Sequence, residues 1–394
     1  MDAWRGLRVY SESPEIMRIL IVSLKYSPVH NAHCRALGEP LRRLGFNVKY
    51  LLAGSLRWTV PQSQLERTTF IGSSRNAGEV LWDTLALSTW RQPELRKVLE
   101  EFQPRLLLFE SSHPGNAVVA SLAQSIVPDI RCWMLLHEPY VHDKSKHGRM
   151  RSLLTAAHEL VVRATLPLLD GVLVPSDEAL LQMKLAYPDF KGTVHKVPLL
   201  FEDRSKAADS ERRYFSFIGH AVPAKGIDTF FWMVEASASR GAEWMFQIAT
   251  STDISAHVAR LSKTAQAHLH VVSKPMLSDA EIDDAIRTSW AVVAPHRRVT
   301  QSGVVPVAFM HGTPVISTRT GGMPESVIPG KTGYLIDRQT SFEEWQEAFR
   351  MVQTNFSDLS ANCRRFFLDH FDARRGPEYL RPMLDSIAGN AQNK

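Results

Sequence analysis

WAVVAPHRRVTQSGVVPVAFMHGTPVISTRTGGMPESVIPGKTGYLI, from Trp290 to Ile336, is the stretch on which the fold turns. Trp290 to Ala294 is a short apolar run closed by Pro295, the pattern of a parallel strand buried on both faces. Thr300-Gln301-Ser302-Gly303 opens a helical segment, Val304 to Met310, which stops at His311-Gly312. Thr313 to Ser317 is a second β-branched run. Thr320-Gly321-Gly322 makes a turn, and Pro324 suits the first turn of another short helix. Strand, loop, helix, strand, turn, helix and strand in that order predict a doubly wound α/β sheet.

This order sets hydroxyl and amide side chains at a helix start, just beyond the carboxyl end of a strand. Open α/β sheets bind their ligands there, and free backbone N–H groups at such a start attract phosphate. Turn glycines and capping hydroxyls are common singly; the ordered series is much more specific.

On these residues the segment from Pro295 to Ile336 resembles the donor-binding segment of GT-B glycosyltransferases of family four. It is most similar to a subgroup with Pro-aromatic, Thr-Gln-Ser-Gly-Val, Gly-x-Pro-Val-Ile and Gly-Gly-x-x-Glu. Most members carry two glutamates that hold sugar and ribose hydroxyls. Here those positions are Val299 and Val307, so that contact does not carry over. The resemblance implies that Thr300, Gln301, Ser302, Gly303 and Val304 meet the donor. Gly321 and Gly322 would let backbone approach it closely, and Glu325 would cap or bind there.

With 394 residues, the chain is long enough for two domains with separate cores. Hydrophobic content of 44% and charged content of 22% are those of an ordinary globular protein. A net charge of +5 suits an anionic ligand or membrane face and is too weak to imply nucleic acid. Cys34, Cys132 and Cys363 are sparse and unclustered, which argues against a disulfide framework and a zinc site. No stretch reaches the roughly 18 uninterrupted apolar residues of a membrane helix. Residues 1–16 read as an extension. A cytoplasmic protein is expected, with the inner face of the plasma membrane as an added location.

Arg18 to Ser23 is a short strand, followed by a helix from Ala32 to Leu44 and a strand from Asn47 to Leu52. The loop between them lacks the glycines of a dinucleotide fingerprint, which disfavours nicotinamide and flavin. His30, Asn31 and His33 lie at its end; Asn31 also reads as a plain helix cap. Trp58 to Glu79 shows little periodicity, and one helix is expected over Val80 to Phe102. A Gly/Asn turn with His113 follows the strand Arg105 to Phe109. By the family layout, His30, Asn31, His113 and Asp143 belong to the acceptor side.

Cys132 to Leu136 is a strand ending in His137-Glu138-Pro139. The resembling enzymes have a histidine here that faces the donor sugar. His137 can hydrogen-bond a sugar hydroxyl or take a proton, with Glu138 or Asp143 fixing its tautomer or acting as base. Lys144, Lys146, Arg149 and Arg151 read either as a solvated loop or as an electropositive lip for anionic lipid. Helix is expected over Leu153 to Leu168.

Phe201 to Arg213 is polar and aperiodic, a linker. After the strand Tyr214 to Ile218 comes Gly219-His220-Ala221-Val222-Pro223-Ala224-Lys225-Gly226. It resembles the family's Gly-Arg-x-x-x-x-Lys-Gly loop, which grips the donor diphosphate. Lys225 supplies a point charge for phosphate, and His220 stands where an arginine is usual. Asp283 and Asp284 are adjacent on a helix and do not face each other. No Asp-x-Asp follows a strand, so no metal is expected.

The expectation is therefore an α/β protein of GT-B architecture, two Rossmann-like domains across a cleft. Residues 1–200 would bind acceptor, residues 201–375 nucleotide sugar, and residues 376–394 would cross back to the first domain. Its activity would be sugar transfer (EC 2.4) from a UDP or GDP type donor, retaining, without metal or other cofactor. The acceptor would be a saccharide or lipid-diphosphate saccharide in bacterial polysaccharide synthesis. His137, Lys225 and Glu138 would carry catalysis, with Gly219 and His220 beside Lys225. A sugar-nucleotide epimerase and a non-catalytic partner protein are the rivals.

Overall fold

The computed structural model describes residues 17–25, 28–72, 77–89, 91–139, 159–205, 210–242, 244–337 and 342–388. The chain divides into two compact units: Met1–Glu202 with Ala373–Lys394, and Asp203–Asp372.

The first unit is built on a seven-stranded parallel sheet. Its strands are β1 (Arg18–Ser23), β2 (Asn47–Ala53), β3 (Thr68–Ile71), β4 (Leu106–Phe109), β5 (Arg131–Leu135), β6 (Gly171–Val174) and β7 (Thr193–Lys196). Their order is β3-β2-β1-β4-β5-β6-β7. The chain thus starts centrally, winds outward to β3, and returns to β4 on the other side of β1. Leu20 and Val22 enter one core while Ile19 and Ile21 enter the other, as expected for a strand covered on both faces. Leu380, Met383, Leu384 and Ile387 of the C-terminal segment pack into the second of these cores.

Helix α1 (Pro28–Arg43) begins four residues before the expected Ala32. Asn31 therefore lies inside the first turn and does not cap it. The expected helix Val80 to Phe102 is two, Ala77–Ser88 and Gln92–Phe102. Pro93 starts the second, where its missing N–H costs nothing. The aperiodic stretch after Trp58 contains the edge strand β3, paired in parallel with β2. Residues 159–165 are helical and Leu166–Leu168 form a 3-10 turn. Asp143, Lys144, Lys146, Arg149, Arg151 and the first half of that expected helix lie outside the described residues.

The second unit repeats the plan with six parallel strands in the order β10-β9-β8-β11-β12-β13. They are β8 (Tyr214–Ile218), β9 (Met245–Thr250), β10 (Leu269–Ser273), β11 (Ser289–Ala294), β12 (Val315–Thr318) and β13 (Gly333–Ile336). Here the reversal falls between β8 and β11. An aromatic core of Phe215, Phe217, Phe230, Phe246 and Phe349 packs against Trp345. The linker is fastened to this unit: Arg204 forks onto Asp283 at 2.9 and 3.2 Å, and Arg212 donates to Thr313 Oγ1 at 2.7 Å. Asp283 is thus an ion-pair partner.

All three cysteines are buried and unbridged. Burial pushes the Cys132 thiol up to about 12, with Asp170 adding to the rise. Cys34 and Cys363 are likewise raised by burial. Among the described residues, no helix is long and apolar enough to cross a membrane.

Candidate active site

In each sheet the reversal of strand order leaves a crevice at the carboxyl ends of two neighbouring strands. The side chains with chemistry gather at these two places.

In the second unit the crevice lies between the loops after β8 and β11. Gly219 takes φ 109°, which turns the chain sharply out of β8. The loop is tied on both sides: Ala221 N–H donates to Thr252 Oγ1 at 3.1 Å, and Arg297 N–H donates to Ala224 O at 2.9 Å. Gly226 has φ 74°, and a Cβ there would sit 1.8 Å from Pro295 O. Only glycine lets the β8 and β11 loops meet so closely.

Lys225 folds back over the turn, its Nζ 3.4 Å from where a Gly219 Cβ would stand. Beside it is His296, 3% exposed, whose Nε2 is 3.1 Å from Ser302 Oγ. The His296 ring also faces the main chain of Lys225. Burial and then the Lys225 charge lower the His296 pKa to about 4. His220 is exposed, with Nδ1 3.2 Å from Ser251 Oγ, and is lowered by the same two causes. Lys225, His220, His296 and Ser302 thus form one basic and hydroxyl-bearing cluster. In the sequence His296 stands only as the aromatic residue after Pro295, with no partner indicated.

The remaining residues expected on the donor side lie in the β11 loop, the helix that follows it and the turn after β12. Thr300 is buried, Gln301, Ser302 and Val304 are half-buried, and Gly303 is exposed at the start of the helix Val304–Met310. Gly321 has φ 51°, and a Cβ there would lie 1.5 Å from Val299 O. The close approach at Gly321 is thus made by the protein's own β11 loop. Gly322 has an ordinary φ of −77°, and Glu325 ends the 3-10 turn Met323–Glu325. Val307, at one of the missing glutamate positions, is 7% exposed.

In the first unit the crevice lies between the loops after β1 and β4, and its centre is Glu110, which is fully buried. His30 Nδ1 is 2.7 Å from Oε2, and Ser23 Oγ donates to the same oxygen at 3.2 Å. His33 Nδ1 and His137 Nε2 approach Oε1 at 3.2 and 3.1 Å. Burial alone would raise this carboxyl's pKa. The facing His30 and hydrogen bonds from His137, His30 and His33 outweigh it and hold it well below the usual value. Glu110 is therefore an ionised acceptor with four donors. Lys25 is close enough to feel both Glu110 and Glu138, although burial lowers its pKa overall.

Glu110 directly follows the apolar strand β4, at the start of the turn that leads to His113. No local spacing reveals that histidines from two distant segments converge on it. His30, Glu110 and His137 present ligand-type atoms within 4.8 Å of one another, close enough to hold an ion. Glu138 is exposed beside His137.

Asn31 is buried with its amide committed: Nδ2 donates to Thr59 O at 3.0 Å, and Oδ1 accepts from Gln64 Nε2 at 3.0 Å. His113 is also buried, and its Nδ1 accepts from Gly115 N–H at 3.0 Å. Burial, with Lys25 nearby, brings its pKa to about 4. Both side chains are hydrogen-bonded within the first unit.

The chain resembles solved structures over nearly its whole length. Sucrose-phosphate synthase from Thermosynechococcus elongatus superposes with a TM-score of 0.72 at 14% identity, covering 95% of this chain and 100% of that one. HepE of Anabaena in complex with UDP-glucose gives 0.68 at 14%, covering 94% and 100%. The lipopolysaccharide outer core galactosyltransferase WaaB gives 0.62 at 12%, covering 95% and 100%. The fold is GT-B. Within the second of the two GT-B sheets, residues 212–355 match the family model described as Glycosyl transferases group 1. No curated protein matches the chain significantly by sequence.

Proposed function

We propose that the protein is a glycosyltransferase that moves a sugar from a nucleoside-diphosphate sugar to a saccharide or lipid-linked saccharide acceptor. The observation that carries this reading is the meeting of Lys225, His220, His296 and Ser302 at the strand-order reversal of the second unit. That cluster suits a diphosphate: one fixed positive charge, two imidazoles and a hydroxyl. The HepE structure holding UDP-glucose supports a UDP donor.

In this mechanism Lys225 stabilises the charge that develops on the departing diphosphate. Removing such a stabiliser costs roughly 10²–10³ in turnover. Ser302, Gln301 and Thr300 orient donor oxygens. His137 of the first unit meets a sugar hydroxyl. No Asp-x-Asp follows a strand, so the charge stabilisation is assigned to Lys225, and the transfer is proposed as retaining and metal-independent. Bacterial envelope or exopolysaccharide synthesis at the inner membrane face is the proposed setting.

The test incubates purified protein with UDP- and GDP-sugars and follows nucleotide release, with Lys225→Ala beside it. Turnover or slow donor hydrolysis, lost on the order of 10²-fold in the variant, supports the assignment. Donor binding without turnover by any acceptor would favour a non-catalytic partner protein, the reading to which Val299 and Val307 lend weight. Epimerised donor would point to an epimerase.

A further inference from the structure

We propose that His30, Glu110 and His137 form a binding site for one divalent ion of the zinc class in the first unit. Sheet topology brings the three together. Strands β1, β4 and β5 are neighbours in the sheet. His30 lies in the first turn of α1, after β1; Glu110 follows β4 directly; His137 comes shortly after the end of β5. Three adjacent loops at one edge of the sheet therefore supply one ligand-type atom each. Whether the protein transfers a sugar does not bear on this site, since all three residues belong to one unit and the ion can be read directly.

The atoms stand where an ion needs them. His30 Nδ1 is 2.7 Å from Glu110 Oε2, and His137 Nε2 is 3.1 Å from Oε1. One atom from each of the three residues lies within 4.8 Å of the others. With zinc–ligand bonds of about 2.0–2.1 Å at tetrahedral angles, ligand atoms stand roughly 3.3 Å apart. Small side-chain movements reach that spacing, with no shift of the strands. Two imidazole nitrogens and one carboxylate oxygen are the set of zinc sites that keep a fourth position for water. Magnesium and calcium prefer all-oxygen shells, so the set selects against them.

The surroundings hold the carboxylate in place. Ser23 Oγ donates to Oε2 at 3.2 Å, and His33 Nδ1 is 3.2 Å from Oε1. Such outer contacts orient a metal ligand. Side-chain exposure is 0% for Glu110, 14% for His30 and 18% for His137, so the imidazole side is the way in from solvent. Lys25 stands near, but it faces Glu138 as well as Glu110, and the carboxylates outnumber the ammonium. Ion binding takes the hydrogen from His137 Nε2, and with it the 3.0 Å contact to Glu110 O. One hydrogen bond is thus exchanged for a metal–ligand bond. The ligands are 80 and 27 residues apart along the chain, so the ion closes two long loops and should stabilise the unit.

The test titrates metal-free full-length protein with cobalt(II), whose visible bands are strong when it is four-coordinate. One equivalent should bind, zinc should displace it, and magnesium should not. The same equivalent of zinc should raise the melting temperature. His30→Ala and His137→Gln, checked for fold by circular dichroism, should each weaken cobalt binding by more than about 10²-fold. His257→Gln, a histidine change in the second unit, should leave it intact. X-ray absorption at the zinc edge of the wild-type protein should show two imidazoles with oxygen ligands, a readout that holds even where a variant fails to fold. No saturable cobalt binding overturns the proposal. So does binding that persists in either His30→Ala or His137→Gln, displacement by magnesium as readily as by zinc, or a zinc shell without two imidazoles.

Discussion

Gly226 and Gly241 both sit in the left-handed region, at φ 74° and φ 66°, and they separate two costs. Nothing lies within 4 Å of a Cβ built at Gly241. Gly241→Ala should cost only the backbone strain, about 1 kcal/mol. At Gly226 the new methyl would strike Pro295 O, so the Lys225 loop or the β11 loop must move. Gly226→Ala should cost more than ~2 kcal/mol in denaturant unfolding and weaken donor binding as well. Equal losses for the two variants would contradict the close approach of the loops.

His220 and His296 make a further prediction about pH. Both are held below the ordinary imidazole range by burial and then by Lys225, so both are neutral at pH 7 in the free protein. A bound diphosphate would raise their pKa values. Affinity gained this way is complete below the free-state values and is lost as pH rises through the bound-state values. UDP-glucose does not titrate between pH 6 and 8, so calorimetry there reads the protein alone. Binding should tighten several-fold as pH falls from 8 to 6, with proton uptake. A flat profile would remove both imidazoles from the phosphate site.

At the scale of elements, most strands could be read as short apolar runs between turn residues, because parallel strands are covered on both faces. β3 could not. Its Thr-Thr-Phe-Ile lies at the sheet edge, where one neighbour suffices and no continuous apolar run is required. The segment before it is held by Asn31, whose amide links α1 to Thr59 and Gln64. Asn31→Ala leaves the buried Gln64 amide without its acceptor and should cost about 2 kcal/mol. Hydrogen exchange should then rise first in residues 54–71. Loss of activity with unchanged exchange would instead make Asn31 a ligand contact.

At the scale of the molecule, the doubly wound plan of each half was legible from the order of strands, turns and helices. The loops that carry Lys225 and Ser302 were legible because each follows an apolar strand and leads into a helix. The surroundings of Glu110 and His296 were not, since the histidines around Glu110 and the lysine beside His296 come from distant parts of the chain. The last segment also acts at a distance in sequence: Leu380, Met383, Leu384 and Ile387 belong to a core built mainly by residues before 202. Ending the chain at Asp372 removes apolar burial worth on the order of 6 kcal/mol, a large part of a domain's stability. Amides of the first unit should lose protection in exchange mass spectrometry, while those of residues 214–336 keep theirs. Uniform loss across both units would mean that they unfold as one.

Because Cys34, Cys132 and Cys363 are sealed inside their cores with thiols shifted away from the reactive thiolate, a maleimide dye should leave the native protein unlabelled. One cysteine introduced on the surface of each half would then be the only attachment point there. A donor–acceptor dye pair on those two positions becomes a ruler for watching the halves respond to nucleotide sugar, one molecule at a time, with no native thiol to remove first.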